Sequence, residues 1–466
     1  MLFQSIGFLC FLALLIGSLA VVRRHRAQKV LVLCAGWIFY GWWDIRFVPL
    51  LWAYTLIGWG AGMLLDRRMP PRLSRIVFPV SIALVLGMLA YFKYTNFMLA
   101  TFGELFGFGA PSFSIILPVG ISFITFEVIS YIVDVHTRKL EPCYDLLDFA
   151  LFNGFFPRLI SGPIIRPADF LPQLRQAPRL DVFRLFVGGQ IFLLGMFQKV
   201  VLADNLAPFV DHVYRDPLLF SSGTVWLAVL AYSGQIYGDF AGYSLMAIGL
   251  ARMLGFTLPR NFNHPYLSLS ITEFWQRWHI SLSSWLRDYL YVPLGGNRKG
   301  NVRTYVNLMI TMLLGGLWHG AGWNFVLWGA LHGAALGIHR AYRKVRGSHV
   351  ADSNTAWPSL FKWALTFAFV SLAWIPFRSP NEQITVEFFR GLFAGGAISW
   401  YPPQVLLAFA VLVGMELLSL PAFRRLRPLP SADPLQPAPV FLLVAIGWCI
   451  ILFQPSNASP FIYFQF

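Results

Sequence analysis

Charged residues are scarce in this sequence. They make up 12% of its 466 residues, whereas 57% of the residues are hydrophobic. Soluble globular domains carry about twice that charged fraction. A soluble chain of this length would still need ordinary charge on its surface. The shortage therefore predicts a mostly apolar surface with lipid as the solvent, and it excludes a soluble globular protein.

Several common functional signatures are also missing. The four cysteines show no CxxC spacing, so they are expected to act as small hydrophobic residues and not as a disulfide framework. Neither HExxH nor a Cys/His cluster occurs, and no metal site is expected. The absence of a GxSxG elbow, a Walker loop and a Rossmann fingerprint argues against covalent serine catalysis and nucleotide-binding loops. No bound cofactor is expected.

The sequence does contain an excess of positive charge, with a formal net charge of +15. The basic residues cluster at 23–29, 67–75, 340–346 and 424–427, in short connections between apolar runs. Cytoplasmic loops of membrane proteins carry this bias, and no basic face interleaved with aromatic residues suggests nucleic-acid binding. Positive charge follows the first apolar run and does not precede it. This order predicts a retained first span with an outside N-terminus and not a cleaved signal peptide.

Long apolar runs are the main positive feature. A membrane span needs about 20 mostly apolar residues. This criterion gives roughly ten to thirteen spans, because the run at 223–254 is long enough for two shorter pieces. The sequence therefore predicts an all-α, polytopic helical bundle formed by one domain over residues 1–466. The candidate spans are 2–22, 30–44, 47–65, 76–92, 113–135, 185–203, 223–254, 304–320, 323–341, 360–377, 403–420 and 438–453.

Two regions, 136–184 and 258–303, are too polar to span. In the second region, Ser270 and Glu273 form a capping-box pattern, and a glycine-rich turn at 295–297 ends the segment. Aromatic and polar residues between these points fall on opposite arcs of a helical projection. This pattern predicts one amphipathic helix that lies in the membrane interface. His279 lies at the edge of the apolar arc, where packing in an aromatic cluster is the favoured interpretation.

Histidine is the most informative residue type, and His319 is the strongest candidate for chemistry. It lies in the segment GLWHGAGW (316–323), beside glycines that allow another backbone to approach closely. Its position is about 22 Å along a span that starts near Thr304, and ionisable residues at such depth usually face a cavity or pathway. A histidine pKa of about 6.5 suits a general base. A structural histidine fits the pattern equally well. His332 is predicted to pack, and His264 to lie in a loop.

Acidic residues within the apolar runs favour structural roles. Glu127 and Asp134 share one helix face. They could orient a histidine or pair with an arginine of the region 258–303. A buried acid satisfied by neighbouring hydroxyls and amides is nevertheless the favoured interpretation for both, and also for Asp239.

Six segments carry a family resemblance: PVGISFITFEVISYIVDV (118–135), FFPRLISGPIIRPADF (155–170), YGDFAGYSLMAIGLARMLGF (237–256), ITEFWQRWHISLSSWLRDYLYVPLGGNRKG (271–300), NLMITMLLGGLWHGAGWNFVLWGALHG (307–333) and PFIYFQF (460–466). With these segments the chain resembles the membrane-bound O-acyltransferase family. It is most similar to the bacterial branch that contains the alginate O-acetylation membrane subunit. The resemblance runs through nearly the whole chain.

This resemblance implies a helical bundle around a central tunnel in the bacterial inner membrane. It also implies transfer of an acetyl group from a cytoplasmic donor, acetyl-CoA, to an exported polysaccharide such as alginate or to a periplasmic acetyltransferase partner. The catalytic histidine of the family maps onto His319, and the second family histidine maps onto His279. The substrate-binding candidates are Asp239, Arg277, Arg287 and Asn324.

Basic residues near the expected cytoplasmic mouth have two interpretations. Arg277 and Arg287, together with Arg298 and Lys299, could attract the phosphates of the donor. Ordinary positive-inside anchoring explains these cations equally well. Leu245 departs from the alginate-type pattern, which often has aspartate at that position, and this difference bears on the identity of the substrate.

Rival functions come from three classes. Within the enzyme class, the alternatives are D-alanyl transfer to teichoic acid and acylation of another cell-envelope polymer. A transporter or channel would more often show inverted repeats, and none is visible in the sequence. The third alternative is an inactive scaffold that only recruits periplasmic partners.

Overall fold

The computed structural model describes residues 1–109, 111–160, 162–175, 180–346, 356–418 and 437–455. The basic connection at 424–427 and the C-terminal motif at 460–466 lie outside these residues. Within the described residues the regular elements are helices, apart from one isolated bridge between Phe220 and Ile398. The prediction of an all-α fold is confirmed.

The described helices belong to two compact units. Unit 1 contains residues 1–192 and 245–259, and unit 2 contains residues 193–244 and 260–466. The α-helices are α1 (Ile6–Val21), α2 (His25–Gly41), α3 (Val48–Leu64), α4 (Pro71–Leu89), α5 (Thr95–Phe106), α6 (Ile121–His136), α7 (Leu146–Asn153), α8 (Phe156–Leu159), α9 (Pro167–Phe170), α10 (Val182–Phe197), α11 (Asp204–Arg215), α12 (Ser222–Met253), α13 (Ile271–Arg277), α14 (Ile280–Leu286), α15 (Gly300–His319), α16 (Trp323–Arg346), α17 (Ala356–Arg378), α18 (Glu382–Gly391), α19 (Pro403–Leu418) and α20 (Pro437–Leu452). Short 3₁₀ turns lie at Ile45–Phe47, Leu171–Arg175, Pro217–Leu219 and Pro265–Leu267, and π-helical turns lie at Ala90–Tyr94, Gln198–Ala203 and Arg287–Tyr291.

Several of these helices are strongly apolar. Large apolar side chains such as Leu14, Leu84 and Phe361 are exposed on them, as expected for helices in lipid. The protein is a polytopic membrane helical bundle, and the number of crossings, roughly ten to thirteen, stays a prediction. Among the described residues, four helical stretches are long and apolar enough to cross a membrane: Ile45–Leu64, Pro71–Phe106, Val182–Arg215 and Ser359–Arg378.

The predicted span at 223–254 is a single helix. α12 has 32 residues, which corresponds to about 48 Å at 1.5 Å per residue. Two shorter pieces are therefore excluded. The predicted spans at 304–320 and 323–341 correspond to α15 and α16.

The predicted span at 113–135 is wrong in its first part, because α6 begins only at Ile121. Gly120 has a φ of 75°, a left-handed conformation that favours glycine, and Pro118 lacks the N–H that a helix interior needs. The side chain of Asn96 also donates to the Phe113 carbonyl at 2.8 Å and accepts from the Phe113 N–H at 3.0 Å. These contacts hold the segment in a non-helical path.

A buried ion pair stabilises the interior of unit 1. The carboxylate of Glu127 on α6 pairs with the guanidinium of Arg158 on α8, and both side chains are 1% exposed. Glu127 also accepts from the N–H of Ile165 at 3.0 Å, while Arg158 donates to the carbonyl of Phe152. Glu127 thus pairs with the first polar region of the sequence and not with an arginine of 258–303.

A second ionic cluster lies inside unit 2. The ammonium of Lys199 is 2.7 Å from Asp204 and 2.6 Å from Asp239, and all three side chains are at most 3% exposed. A Cβ atom at Gly242 would come within 2.9 Å of the Lys199 backbone nitrogen, so glycine lets α12 approach the π-helical turn closely. The cluster of Lys199, Asp204 and Asp239, called the ionic triad below, joins this turn to α12.

Candidate active site

The helix predicted to start at Ser270 is interrupted at its histidine. Ser270 is confirmed as the N-cap, because the N–H of Glu273 donates to its hydroxyl at 3.2 Å. The Glu273 carboxylate accepts from the N–H of Leu269, at 2.8 Å, and not from that of Ser270. However, α13 ends at Arg277 and α14 begins at Ile280, and the backbone of His279 between them is left-handed, with φ 42° and ψ 55°. This conformation costs a non-glycine residue about 1–2 kcal/mol. The prediction of one continuous helix is wrong, and other contacts must stabilise the break.

The segment 261–263 supplies those contacts. The N–H of Ile280 donates to the Asn261 carbonyl, and the N–H of Asn263 donates to the Arg277 carbonyl, each at 2.9 Å. These bonds satisfy backbone groups that lose their helical partners at the break. Sequence reasoning missed this segment, because asparagines in a short connection are typical of many loops.

The backbone near His319 is fixed by the packing of α15 on α16. α15 ends at His319, one residue before the predicted end of the span at 304–320. A Cβ atom at Gly316 would collide with the carbonyl oxygen of Phe325, and one at Gly329 with the carbonyl oxygen of Met312. Because the two backbones touch directly, the end of α15 has little room to move.

The two candidate histidines lie together inside unit 2. The ring centroids of His279 and His319 are 6.4 Å apart, and the residues are 0% and 4% exposed. Phe240 lies 4.5 Å from the His279 ring, and Trp328 lies 5.0 Å from the His319 ring. Trp318 contacts both histidines, at 5.9 and 5.0 Å. Two residues that are distant in sequence thus form one imidazole pair within an aromatic cluster.

The protonation state of His279 follows from its surroundings. Burial lowers the pKa of the His279 imidazole well below its usual range, because apolar surroundings disfavour the charged form. The ring is therefore neutral at physiological pH, and a neutral imidazole has one nitrogen that accepts hydrogen bonds or protons. A strongly lowered pKa makes His279 a weaker proton acceptor than an ordinary histidine, so its ring is better suited to orienting a reactant than to general-base chemistry.

A third histidine, His332 on α16, extends the aromatic cluster, as predicted for a packing residue. Its ring is 0% exposed and lies 4.7 Å from Trp328. The indole N–H of Trp275 donates to its Nδ1 atom at 3.3 Å. Since an indole nitrogen can only donate, Nδ1 carries no proton, and the ring proton of His332 is on Nε2.

Two substrate-binding candidates are engaged by other protein groups. Asp239 precedes Phe240 on α12, but its carboxylate faces Lys199 in the ionic triad. The amide of Asn324 donates to the Ser379 carbonyl at 3.0 Å, and its oxygen accepts from the Thr385 hydroxyl at 3.3 Å. In this conformation Asn324 joins α16 to the start of α18.

The predicted donor-binding cations lie at the surface of unit 2. Arg277 pairs with Glu273 at 2.6 Å, and Arg287 pairs with Asp288 at 2.8 Å. The Arg287 side chain stays 65% exposed, and the neighbouring residues 298–299 are exposed as well. These residues are therefore accessible to an anion from outside the helix bundle.

A buried acid of unit 2 was not predicted. Glu416 on α19 accepts from the Tyr237 hydroxyl at 2.8 Å and lies 3.2 Å from the Nδ1 atom of His264. The Tyr237 ring lies 6.2 Å from Trp278, the residue before His279. A lone glutamate within the apolar run 403–420 was the signal available in the sequence.

Comparisons with known proteins identify the family of this chain. Residues 136–376 match the family model described as MBOAT, membrane-bound O-acyltransferase family. A protein of Pseudomonas putida named "probable alginate O-acetylase AlgI" is 38% identical over the full length of both chains. The peptidoglycan O-acetyltransferase of Helicobacter pylori is 35% identical over 85% of this chain and 79% of its own. The teichoic acid D-alanyltransferase of Streptococcus thermophilus is 29% identical over 56% of this chain and 68% of its own.

The helical membrane fold and these relatives define a polytopic membrane enzyme that transfers acyl groups to oxygen. The chain belongs to the membrane-bound O-acyltransferase family. The matched region, 136–376, contains both members of the imidazole pair.

Proposed function

We propose that this chain takes an acetyl group from acetyl-CoA on the cytoplasmic side of the inner membrane. The group passes to an exported, alginate-like polysaccharide, or to a periplasmic acetyltransferase that modifies the polymer. The observation that carries the proposal is the imidazole pair, with 6.4 Å between the rings of His279 and His319, inside a membrane O-acyltransferase.

In the proposed reaction His319 is the general base. A ring nitrogen accepts the proton of the acceptor hydroxyl while the hydroxyl oxygen attacks the acetyl carbon of the thioester. A carbon–oxygen bond forms and the carbon–sulfur bond breaks. The departing thiolate takes the proton from the imidazolium, which leaves an acetyl ester, free CoA thiol and a neutral His319. His279 supports this step by orienting the reactants at the adjacent ring.

The exposed cations of unit 2 support a cytoplasmic donor. The phosphates of CoA are suited to guanidinium and ammonium groups, and Arg287, Arg298 and Lys299 are exposed. A tunnel from these cations to the imidazole pair is part of the proposal. Such a path would bring the thioester to His319 without moving the charged CoA through lipid.

The acceptor is proposed from the relatives. The full-length match to a protein named for alginate favours an alginate-like exopolysaccharide. The 35% identity to a peptidoglycan O-acetyltransferase supports a second candidate, acetylation of peptidoglycan. D-alanyl transfer to teichoic acid has weaker support, because that relative matches 56% of this chain. The family favours a transferase over a transporter.

A transfer assay distinguishes these acceptors. The full-length chain, reconstituted in liposomes, is given acetyl-CoA labelled in the acetyl group together with either alginate oligomers or peptidoglycan fragments. We expect release of CoA thiol and an alkali-labile label on alginate oligomers above the level in liposomes without the chain. Label on peptidoglycan alone would favour the second candidate. Passage of acetyl-CoA without thiol release would indicate a transporter and refute the proposal.

An assay in cells tests the scaffold alternative. A strain that lacks the chain is complemented with the native chain or with His319→Ala, and the acetyl content of its exported polymer is measured. The enzyme proposal predicts that His319→Ala behaves like the deletion while the protein is still inserted in the membrane. Full acetylation with His319→Ala would support a scaffold that only recruits partners.

A further inference from the structure

We propose that Asn261 is a positioning residue for acetyl transfer: it holds His279 in its left-handed conformation and thereby sets the geometry of the imidazole pair. This inference rests on the proposed function, because it assigns Asn261 a role through the His279 ring. Asn261 is 1% exposed and makes four hydrogen bonds with Ser244, Ile280 and Ser281.

The first argument concerns the start of α14. The side chain of His279, which occupies the N-cap position, makes no capping hydrogen bond, yet the first N–H groups of a helix need acceptors. Asn261, which lies in another segment, supplies acceptors for the first two of these N–H groups. Its carbonyl accepts from the Ile280 N–H at 2.9 Å, and its side-chain oxygen accepts from the Ser281 N–H at 3.3 Å. His279 can therefore lie between α13 and α14 although its side chain does not cap α14.

The second argument concerns the anchoring of Asn261 itself. Its side-chain oxygen also accepts from the Ser281 hydroxyl at 2.9 Å, and its amide donates to the Ser244 hydroxyl at 3.1 Å. Together with the bonds from the N–H groups of Ile280 and Ser281, these contacts let Asn261 connect α14 to α12. Ser244 lies one helical turn after Phe240, the ring 4.5 Å from His279, so both belong to the same face of α12.

These contacts explain how Asn261 controls the imidazole pair. His319 is fixed by the direct contact of α15 with α16, whereas the direction of the His279 ring depends on the backbone at the break. Without the Asn261 side chain, the first turn of α14 loses an acceptor and the connection to α12. The left-handed residue can then relax toward the favoured right-handed region. Displacement of a reacting group by about 1 Å can lower the rate about 100-fold.

The test uses Asn261→Ala in the full-length, purified chain, with the rate of CoA thiol release from acetyl-CoA as the measurement. We expect kcat to fall about 10- to 100-fold, with KM for acetyl-CoA changed less than about 2-fold, because the donor cations are untouched. Asn263→Ala is the matched control. Asn263 belongs to the same segment, but its side chain accepts from Arg260 at an exposed position, so its rate should match that of the native chain.

A double-mutant cycle separates positioning from a general structural effect. If Asn261 acts through the His279 ring, Asn261→Ala should lower the residual rate of His279→Ala no further. An equal fall in rate from Asn261→Ala in the native chain and in the His279→Ala variant would overturn the inference. A native rate for Asn261→Ala, where His279→Ala is inactive, would overturn it as well. Full activity of His279→Ala would instead refute the role of His279 in the proposed function and the inference with it.

Ser281→Ala provides a second measurement if Asn261→Ala is not recovered as a monodisperse protein. This change removes the hydroxyl contact with Asn261 and keeps the Ser281 N–H. We expect a fall in kcat of about 2- to 10-fold, and no further fall in the His279→Ala background. If Ser281→Ala releases CoA thiol at the rate of the native chain, the inference is overturned.

Discussion

At the residue scale, His319 combines a fixed backbone with an aromatic enclosure. The contact between α15 and α16 holds its main chain, and Trp318 and Trp328 pack against its ring at 5.0 Å each. A polar residue of similar size can therefore replace it with little change in packing. Such a change isolates the chemistry of the imidazole from its contribution to the fold.

The first prediction concerns His319→Asn. An asparagine amide cannot take a proton from a hydroxyl group, so we expect the rate of CoA thiol release to fall by about 10²- to 10⁴-fold. The thermal midpoint of the detergent-solubilised protein should stay close to that of the native chain. His212→Asn, at an exposed position on α11, is the matched control and should keep the native rate. A fully active His319→Asn would exclude general-base catalysis by this residue.

The second prediction concerns the ion pair between Arg158 and Glu127. Arg158→Met leaves the Glu127 carboxylate buried without its cation, and removing one partner of such a pair costs about 3–5 kcal/mol. We expect a clearly lower thermal midpoint and less protein recovered from membranes. Arg46→Met, which breaks a solvent-exposed pair with Asp44, should leave the midpoint unchanged. Equal midpoints for the two variants would show that the buried pair adds little stability.

At the scale of elements, the close packing of α15 against α16 depends on two glycines, Gly316 and Gly329. The backbone of one helix lies where a Cβ atom of the other would be, at both Gly316 and Gly329. Separation of the helices by even a small distance would move the His319 ring relative to His279. Stability and activity should therefore change together when this contact is altered.

The third prediction is that Gly316→Ala lowers both the thermal midpoint and the rate of CoA thiol release. The added methyl group would meet the carbonyl oxygen of Phe325, and overpacking of this kind typically costs about 1–3 kcal/mol. Gly60→Ala on α3 is the control. Nothing lies within 4 Å of a Cβ atom there, so helix propensity favours alanine by about 1 kcal/mol. A native-like Gly316→Ala would show that the hairpin can adjust without loss.

The helices also show which structural features can be predicted from local sequence patterns. Hydropathy located α12, α15 and α16 because a membrane helix is defined by its own composition. The non-helical path before α6 depends on the local residues Pro118 and Gly120 and also on Asn96, a residue of a different helix that pairs with Phe113. Likewise, the break at His279 is stabilised by Asn261, and no periodicity within 270–294 encodes that contact. Local patterns therefore predicted most helices, while breaks fixed by distant residues were missed.

At the scale of the whole molecule, the distribution of charge predicts the orientation in the membrane. The basic cluster at 340–346 is expected on the cytoplasmic side, and Asp216, in the connection between α11 and α12, on the opposite side. Arg343 and Asp216 are both exposed at the surface of unit 2. A chemical reagent can therefore reach either position from its own side of the membrane.

The fourth prediction tests this orientation. In a chain whose four cysteines are replaced by serine, Asp216→Cys should react with a membrane-impermeant maleimide added to the outside of cells whose cytoplasmic membrane is intact. Arg343→Cys should react only when the membrane is opened or inverted. Labelling of both positions from the same side would contradict the orientation derived from the basic clusters.

The candidate site was predicted unevenly. The glycine-rich segment around His319 singled out that residue, whereas only the family resemblance singled out His279. Spacing could not predict that the two rings lie 6.4 Å apart, because the residues belong to separate segments of the chain. Composition indicated that Asp239 was unusual, but its partner Lys199 lies in a π-helical turn that no sequence pattern marks. Side-chain partners are set by tertiary packing, so the sequence could nominate charged residues without assigning what each one binds.

The ionic triad has a consequence for how relatives of this protein can diverge. Two acids share one ammonium in the interior of unit 2, and loss of the ammonium alone would leave both carboxylates without their common counterion. Lineages that replace Lys199 by an apolar residue should therefore also replace Asp204 and Asp239, and intermediates carrying only the first change should be rare. The three positions are expected to be inherited as a group, and their joint variation across bacterial genomes would record this constraint.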